Sequence, residues 1–244
     1  MAEEKAGSLL IFDFDHSLID CNSDPWVVDH LGASQLMLSL RPLIPSWTHL
    51  MDRMMEELAA SGRTVHDIED ALRQIPVHPA MIKSIKAAHS WGWEAQIISD
   101  ANSFFIQTIL TAHDLDSYFS EIHTNQAQVD ERGVLRIGPY QRPPPHKCPL
   151  CPPNMCKGAI LDSVRAASQL PRQRTIYIGD GGGDYCPSVR LREADHVLAR
   201  EGFPLLRLIE KNPGAVKATV HKWSTALDVE RCLIQLYETD QNSS

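Results

Sequence analysis

The patterned part of the chain opens with a continuous apolar run, Leu9-Leu10-Ile11-Phe12, the signature of a strand buried on both faces. The period then changes. Trp47, Leu50, Met51, Met54, Met55 and Leu58 recur at helical spacing, with Ser46 placed to cap the helix and Gly62 to end it. Val65, Ile68, Leu72 and Ile75 repeat that spacing behind a second cap, Thr64. Residues 20–76 therefore read as a small helical insert, with Pro76 and Pro79 bracketing its exit as a stiff hinge.

From residue 79 onward helices and strands alternate. Met81, Ile82, Ile85 and Ala88 predict a helix ending at Gly92; 94–99 reads as a strand, 103–113 as a helix capped by Asn102, and 121–124 as a short strand. Residues 129–137 suit a hairpin around Glu131-Arg132-Gly133, and a proline-rich loop follows. The pattern then predicts a helix over 157–170, a strand over 174–178, a last core strand over 196–198 and a closing helix over 223–237. Such alternation implies a parallel sheet covered on both faces. The expected fold is α/β: a Rossmann-like parallel-sheet core formed by 1–19 and 77–244, with a small helical cap, 20–76, inserted after the first strand.

Composition excludes more than it adds. At 43% hydrophobic and 22% charged, the 244-residue chain is ordinary for a globular protein. A formal charge of -8 argues against nucleic acid and anionic membrane as partners. No apolar run approaches the roughly 18 residues of a membrane span. The acidic start, MAEEKAGS, lacks the features of a signal peptide, so a cytoplasmic protein is expected, a monomer or weak homo-oligomer with frayed ends at AEEKAG and TDQNSS.

The chemistry-bearing residues follow the strands. Asp13 and Asp15 come after the first run; as i and i+2 of a strand they are expected to face one spot. Two carboxylates that close ionise together only around a cation. Ser99 and Asp100 follow the second core strand, Asp180 and Asp184 flank the triple glycine after the strand at 174–178, and Lys157 opens a helix. A parallel sheet brings its strand carboxyl ends to one rim, so these groups can converge. Acids with a lysine and a hydroxyl are the composition of a metal-plus-phosphate site, and hard oxygens select Mg²⁺. The glycines 181–183 are expected to let backbone approach the metal and the substrate closely.

IFDFDHS, IISDAN, Lys157 and GDGGGDY together resemble the four motifs of the haloacid dehalogenase superfamily of phosphotransferases, with Ser17 where threonine is commoner. IDCNSDPWVV, ISDANSFFI, HKCPLCPPNMCKG and GDGGGDYCPSVRLREAD further resemble its phosphoethanolamine/phosphocholine and pyridoxal phosphate phosphatase family. PSWTHLMDRMMEELAASGR is similar to the plant thiamine phosphate phosphatase-like group. The resemblance implies a Mg²⁺-dependent phosphomonoesterase in which Asp13 is the nucleophile and Asp15 the acid/base. It implies metal held by Asp13, the Asp15 backbone carbonyl and Asp180 with Asp184 in support, phosphate bound by Ser99 and Lys157, and substrate contacted by Asp24 and Asp100.

Asp20, Asp24 and Asp100 are acids beyond what a metal needs. They favour a small phosphorylated metabolite with a cationic end, such as thiamine monophosphate, phosphocholine or phosphoethanolamine, over pyrophosphate or pyridoxal phosphate. Trp26 or Trp47 is available to stack on a cation or to pack the core. His146, Cys148, Cys151 and Cys156 carry half of a zinc-site spacing, but the second C-x₂-C is missing, so the loop reads first as a proline-stiffened support for Lys157. Cys186 reads as a packing residue. The non-enzymatic alternatives are a metal- or phosphate-sensing module and a zinc-stabilised interaction protein.

Overall fold

The computed structural model describes residues 7–142, 144–167 and 174–242. Strand β1 (Leu9–Phe12) is followed by helices α1 (Ser23–His30), α2 (Ser34–Leu40), α3 (Trp47–Ala60) and α4 (Val65–Arg73). Then come α5 (Pro79–Ser90), β2 (Glu94–Asn102), α6 (Ser103–Ala112), β3 (Glu121–Asn125) and the antiparallel pair β4 (Ala127–Val129) and β5 (Leu135–Ile137). The last part runs α7 (Lys157–Ala167), β6 (Thr175–Gly179), α8 (Tyr185–Ser188), β7 (His196–Arg200), α9 (Pro204–Lys211), β8 (Thr219–Trp223) and α10 (Ala226–Asn242).

The main sheet is parallel throughout, in the order β3-β2-β1-β6-β7-β8. The apolar run therefore sits at the centre. Its side chains alternate between two cores: Leu10 and Phe12 join the core under α5, α6 and α10, while Leu9 and Ile11 join the core under α7 and α9. A strand flanked by helices on both faces has no solvated side, which is why the run is apolar at every position.

Helices α3 and α4 are built as the pattern predicts, while α1 and α2 lie in the insert without having been placed individually. Ser46 accepts the N–H of His49, and Thr64 and Asp67 form a reciprocal capping box. Leu50, Met51, Met54, Met55 and Leu58 of α3 are all buried, each contributing about 1.5–3 kcal/mol through its apolar surface. The polar edge of α3 grips the hairpin: Asp52 accepts Arg136 Nε at 2.9 Å and the Ile137 N–H at 2.8 Å. Trp26, offered as a cation platform, is committed elsewhere, donating to Ala71 O at 2.9 Å and stacking on His30.

Several boundaries differ from expectation. β2 continues to Asn102, three residues past 99, carrying Ser99 and Asp100 inside the strand. The sheet does not end at β7: β8 pairs along it as an edge strand whose exposed positions hide it from an apolar-run reading. α9, opened by Pro204, was not anticipated. The closing helix starts at Ala226, because Asp228 Oδ2 accepts the Ser224 and Thr225 N–H groups and so caps it there. Residues 239–242, expected as a frayed tail, continue that helix, while 1–6, 168–170 and 243–244 lie outside the described residues. No described helix is long and apolar enough to cross a membrane.

Candidate active site

Asp13 stands one residue beyond the end of β1, and its N–H still donates to Ile178 O at 2.8 Å, so the sheet fixes its backbone. Asp15 does not extend the strand. Phe14–Leu18 forms one wide turn closed by Ile19 N–H to Phe14 O at 3.1 Å, and inside it His16 takes a left-handed φ of 54°. Arg200 holds that turn by donating to His16 O and to Asp20 at 2.6 Å each. Asp13 keeps extended backbone, but Phe14 opens the turn, so Asp15 stands within that turn and not at the next strand position as the i, i+2 reading expects. Asp20, read as a spare acid, is occupied by Arg200.

Four of the sequence-predicted residues meet directly. Lys157 Nζ lies 2.9 Å from Asp13 Oδ2 and 2.9 Å from Asp184 Oδ1, with all three side chains buried. Asp184 is tied on every side: Oδ1 also accepts the Tyr177 hydroxyl at 2.8 Å, and Oδ2 accepts the Asp180 and Gly181 N–H groups at 3.1 and 2.8 Å. Asp184 thus shapes the loop that presents Asp180. Asp180 in turn accepts from Ser17 Oγ at 3.1 Å, which joins the two rim loops. Within this loop the close approach lies at Gly179, where a Cβ would come 2.7 Å from the Asp184 carboxyl; added at 181, 182 or 183 it would meet nothing nearer than 3.5 Å.

The remaining residues line the same rim. Ser99 is fully buried and accepts the Ala101 N–H at 3.2 Å. Asp15 Oδ1 accepts the Ser23 N–H at 2.8 Å, and Asp24 Oδ2 accepts Trp47 Nε1 at 2.6 Å. Asp24 Oδ1 is buried with no hydrogen-bond partner among the described residues. Asp100 is exposed and faces a cavity of about 450 Å³ between the start of α3 and the core rim, with Trp47, Asn154, Met155, Lys157 and Gly183 among its walls.

Burial without enough positive charge dominates the electrostatics. Burial, and then the neighbouring Asp184, push the Asp13 carboxyl well above its usual range. Burial lifts Asp15 to about 8, with Asp24 adding to it, and lifts Asp24 itself to about 7. Burial and Asp184 raise Asp180 to about 7. Burial alone would lower the Lys157 ammonium, but Asp13 and Asp184 hold it well above its ordinary value. Asp13, Asp180 and Asp184 each offer a carboxylate oxygen within 4.8 Å of the others. One lysine among three buried acids leaves net negative charge, and an oxygen-only donor set of this kind fits a hard divalent cation.

Sequence reading placed Ser17 in the first motif without a role, and it missed Tyr177, Arg200 and Asn125. Tyr177 had a signal: a hydroxyl in a strand buried on both faces needs a partner. Asn125 had none. Its Nδ2 donates to Asp100 O and Ala101 O, and its Oδ1 accepts from Tyr140 N and Asn154 Nδ2, tying the end of β2 to the proline-rich loop.

A central parallel strand that ends in a buried acid, answered by a lysine and a second acidic loop from the neighbouring strand, is here the site of a phosphatase, a hydrolase, and the fold around it is shared with a solved haloacid dehalogenase (HAD) family hydrolase at a TM-score of 0.60 and 17% identity. Residues 8–237 match the family described as Putative Phosphatase, and the chain belongs to that family. It is 48% identical to a thiamine phosphate phosphatase-like protein of Arabidopsis thaliana, over 95% of this chain and 96% of the relative. Inorganic pyrophosphatase 2 of the same plant is 46% identical, over 93% and 83%. Among solved structures, a probable phosphoserine phosphatase from Vibrio cholerae superposes with a TM-score of 0.65 at 12% identity, covering 99% of this chain and 69% of that one.

Proposed function

We propose that the chain is a Mg²⁺-dependent phosphomonoesterase that works through an aspartyl-phosphate on Asp13. The observation that carries this is the Asp13–Lys157–Asp184 cluster, a buried acid held by a buried cation at the end of the central strand. Asp13 attacks phosphorus in line with the leaving oxygen, and the phosphoryl group passes to its carboxylate. Asp15, raised to about 8 by burial, is protonated at neutral pH and so is ready to give its proton to the leaving oxygen. The same carboxylate then takes a proton from the water that hydrolyses the aspartyl-phosphate. Lys157 and the Ser99 hydroxyl neutralise and orient phosphate oxygens. Asp13, the Asp15 backbone carbonyl and Asp180 would hold Mg²⁺, with Asp184 fixing the Asp180 loop. The ion supplies charge that lets an anionic nucleophile meet an anionic phosphate.

For the substrate we propose a small phosphate ester with a cationic end, among thiamine monophosphate, phosphocholine and phosphoethanolamine. Asp24 Oδ1, buried beside Trp47 with no partner among the described residues, and Asp100 in the cavity wall support this. Pyrophosphate, the substrate named for a relative of similar identity, has no cation to satisfy those acids. Helices α1–α4 are proposed to act as a cap over the core, and the six free thiols suit a cytosolic protein. Steady-state kinetics on thiamine monophosphate, phosphocholine, pyridoxal phosphate and pyrophosphate with Mg²⁺ is the test. A clear preference for pyrophosphate defeats the substrate assignment, and no Mg²⁺-dependent hydrolysis of any phosphate ester defeats the phosphomonoesterase assignment.

A further inference from the structure

The proline-rich loop folds in a way its sequence spacing does not show. His146, counted among the candidate ligands, turns away: its Nε2 contacts Pro152 O at 2.9 Å and its Nδ1 accepts the Cys148 N–H at 3.2 Å. Cys186, contributed by α8 and 30 residues beyond Cys156, takes its place. Cys148 Sγ and Cys186 Sγ are 3.6 Å apart, and Cys156 Sγ and Cys186 Sγ are 3.9 Å apart. With Cys151 the four sulfurs all lie within 4.8 Å of one another, and none forms a disulfide.

We infer that Cys148, Cys151, Cys156 and Cys186 form a structural Zn²⁺ site, separate from the Mg²⁺ site proposed above. Four thiolates around zinc at Zn–S of about 2.3 Å form a tetrahedron whose edges are about 3.8 Å, and the observed spacings bracket that value. A disulfide would need about 2.05 Å between two sulfurs, so the cluster is far too open for that bond and far too close for four unrelated thiols. Soft sulfur donors select zinc over the hard cations that suit the aspartates. Zinc with four thiolates carries net negative charge, and the surroundings answer it: Ala159 N–H donates to Cys156 Sγ at 3.4 Å, and Arg190 Nη2 stands 3.9 Å from the same sulfur. Gly158 is the space for this arrangement, because a Cβ there would lie 2.6 Å from Cys186 Sγ.

The position gives the site a purpose. Cys156 immediately precedes Lys157, and Cys186 follows Asp184 by two residues. A zinc ion would staple together the two chain segments that form the Lys157–Asp184 ion pair. The loop leading into Lys157 contains no helix or strand among its described residues from 138 to 156; Asn125 anchors it at Tyr140 and Asn154, and the ion would add an anchor at Cys148, Cys151 and Cys156.

The test is metal analysis of the full chain, purified with a thiol reductant but without metal-affinity chromatography, then dialysed against EDTA and Mg²⁺. We expect about one zinc per chain, with native thiol titration reaching only Cys21 and Cys232 until zinc is released. Reconstitution with Co²⁺ should give the intense sulfur-to-cobalt charge-transfer and visible bands of a tetrahedral four-thiolate centre. Cys148→Ser should lose the zinc and lower the melting temperature, while Cys21→Ser and Cys232→Ser keep both. Wild-type protein without zinc whose six thiols all react, iron in place of zinc, or a disulfide between any two of the four would overturn the assignment, whether or not the Cys148→Ser variant folds. Zinc content is read without substrate, so it stands or falls separately from the phosphatase reaction.

Discussion

Asp195 and Asp13 are both buried acids at strand ends of one sheet, and they are treated in opposite ways. Asp195 precedes β7 and is fully enclosed. It accepts the Thr175 N–H at 2.9 Å, the Arg192 N–H at 2.7 Å and both the Arg165 and Arg192 guanidinium groups. Burial opposes its ionisation, yet these donors together hold its carboxyl below the ordinary range. Asp13 has one buried lysine, which it shares with Asp184, and its carboxyl is driven upward. The first acid is saturated with donors and anchors the fold. The second is left short of positive charge at the rim where ligands bind. Burial alone does not mark a functional acid; the deficit of donors around it does.

The widest separation between the two should come from substitution. Asp13→Asn is expected to lower kcat by about 10⁴-fold or more while leaving the melting temperature unlowered, checked by kinetics and thermal denaturation on one preparation. Asp195→Ala should do the reverse, costing about 3 kcal/mol in denaturant unfolding with kcat per folded molecule unchanged; its arginines keep some exposure, which limits the penalty.

The pH dependence should separate Asp195 from Asp24, another buried acid of the site, by sign. With its folded carboxyl lowered, Asp195 contributes stability that is complete above about 4 and is lost as pH falls through its folded value. Asp24 is raised from 3.8 to about 7, so it favours the folded state while protonated and withdraws that support as pH rises from 3.8 through 7. Unfolding free energies between pH 5 and 8 should therefore fall more steeply in the wild type than in Asp24→Asn. The same variant should raise KM for a cationic phosphate ester about tenfold at pH 8, near 1.4 kcal/mol, and leave KM for pyrophosphate unraised. A smaller effect belongs to the periphery: Thr64→Ala removes an exposed helix cap, at about 1 kcal/mol of stability and no change in kcat.

The sheet and the helices α3 to α7 were legible because burial on both faces and helical periodicity leave unmistakable patterns. Leu9 to Phe12 could be read as a central strand from its lack of polar positions. β8 could not, since an edge strand alternates with solvent and resembles a loop. Asp13, Lys157, Asp180 and Asp184 were legible as a set because a parallel sheet gathers its strand ends. The turn that carries Asp15 was not, because it is closed by Ile19 and held by Arg200, which comes from the end of β7, two strands away in the sheet. Cys186 was hidden for the same reason. Its partners are 30 residues or more away, and only the packing of α7 against α8 brings them together.

The central claim is that Asp13 itself receives the phosphoryl group. Rapid acid quenching of the Asp15→Asn variant with a phosphate-ester substrate and Mg²⁺, followed by peptide mass spectrometry, measures this directly, because loss of the acid/base should slow hydrolysis of the intermediate. The account predicts one phosphoryl group on the peptide containing Asp13 and none when Asp13 is also changed to Asn. A phosphoryl group found on another residue, or an unmodified Asp13 in a variant that still turns over, would contradict it.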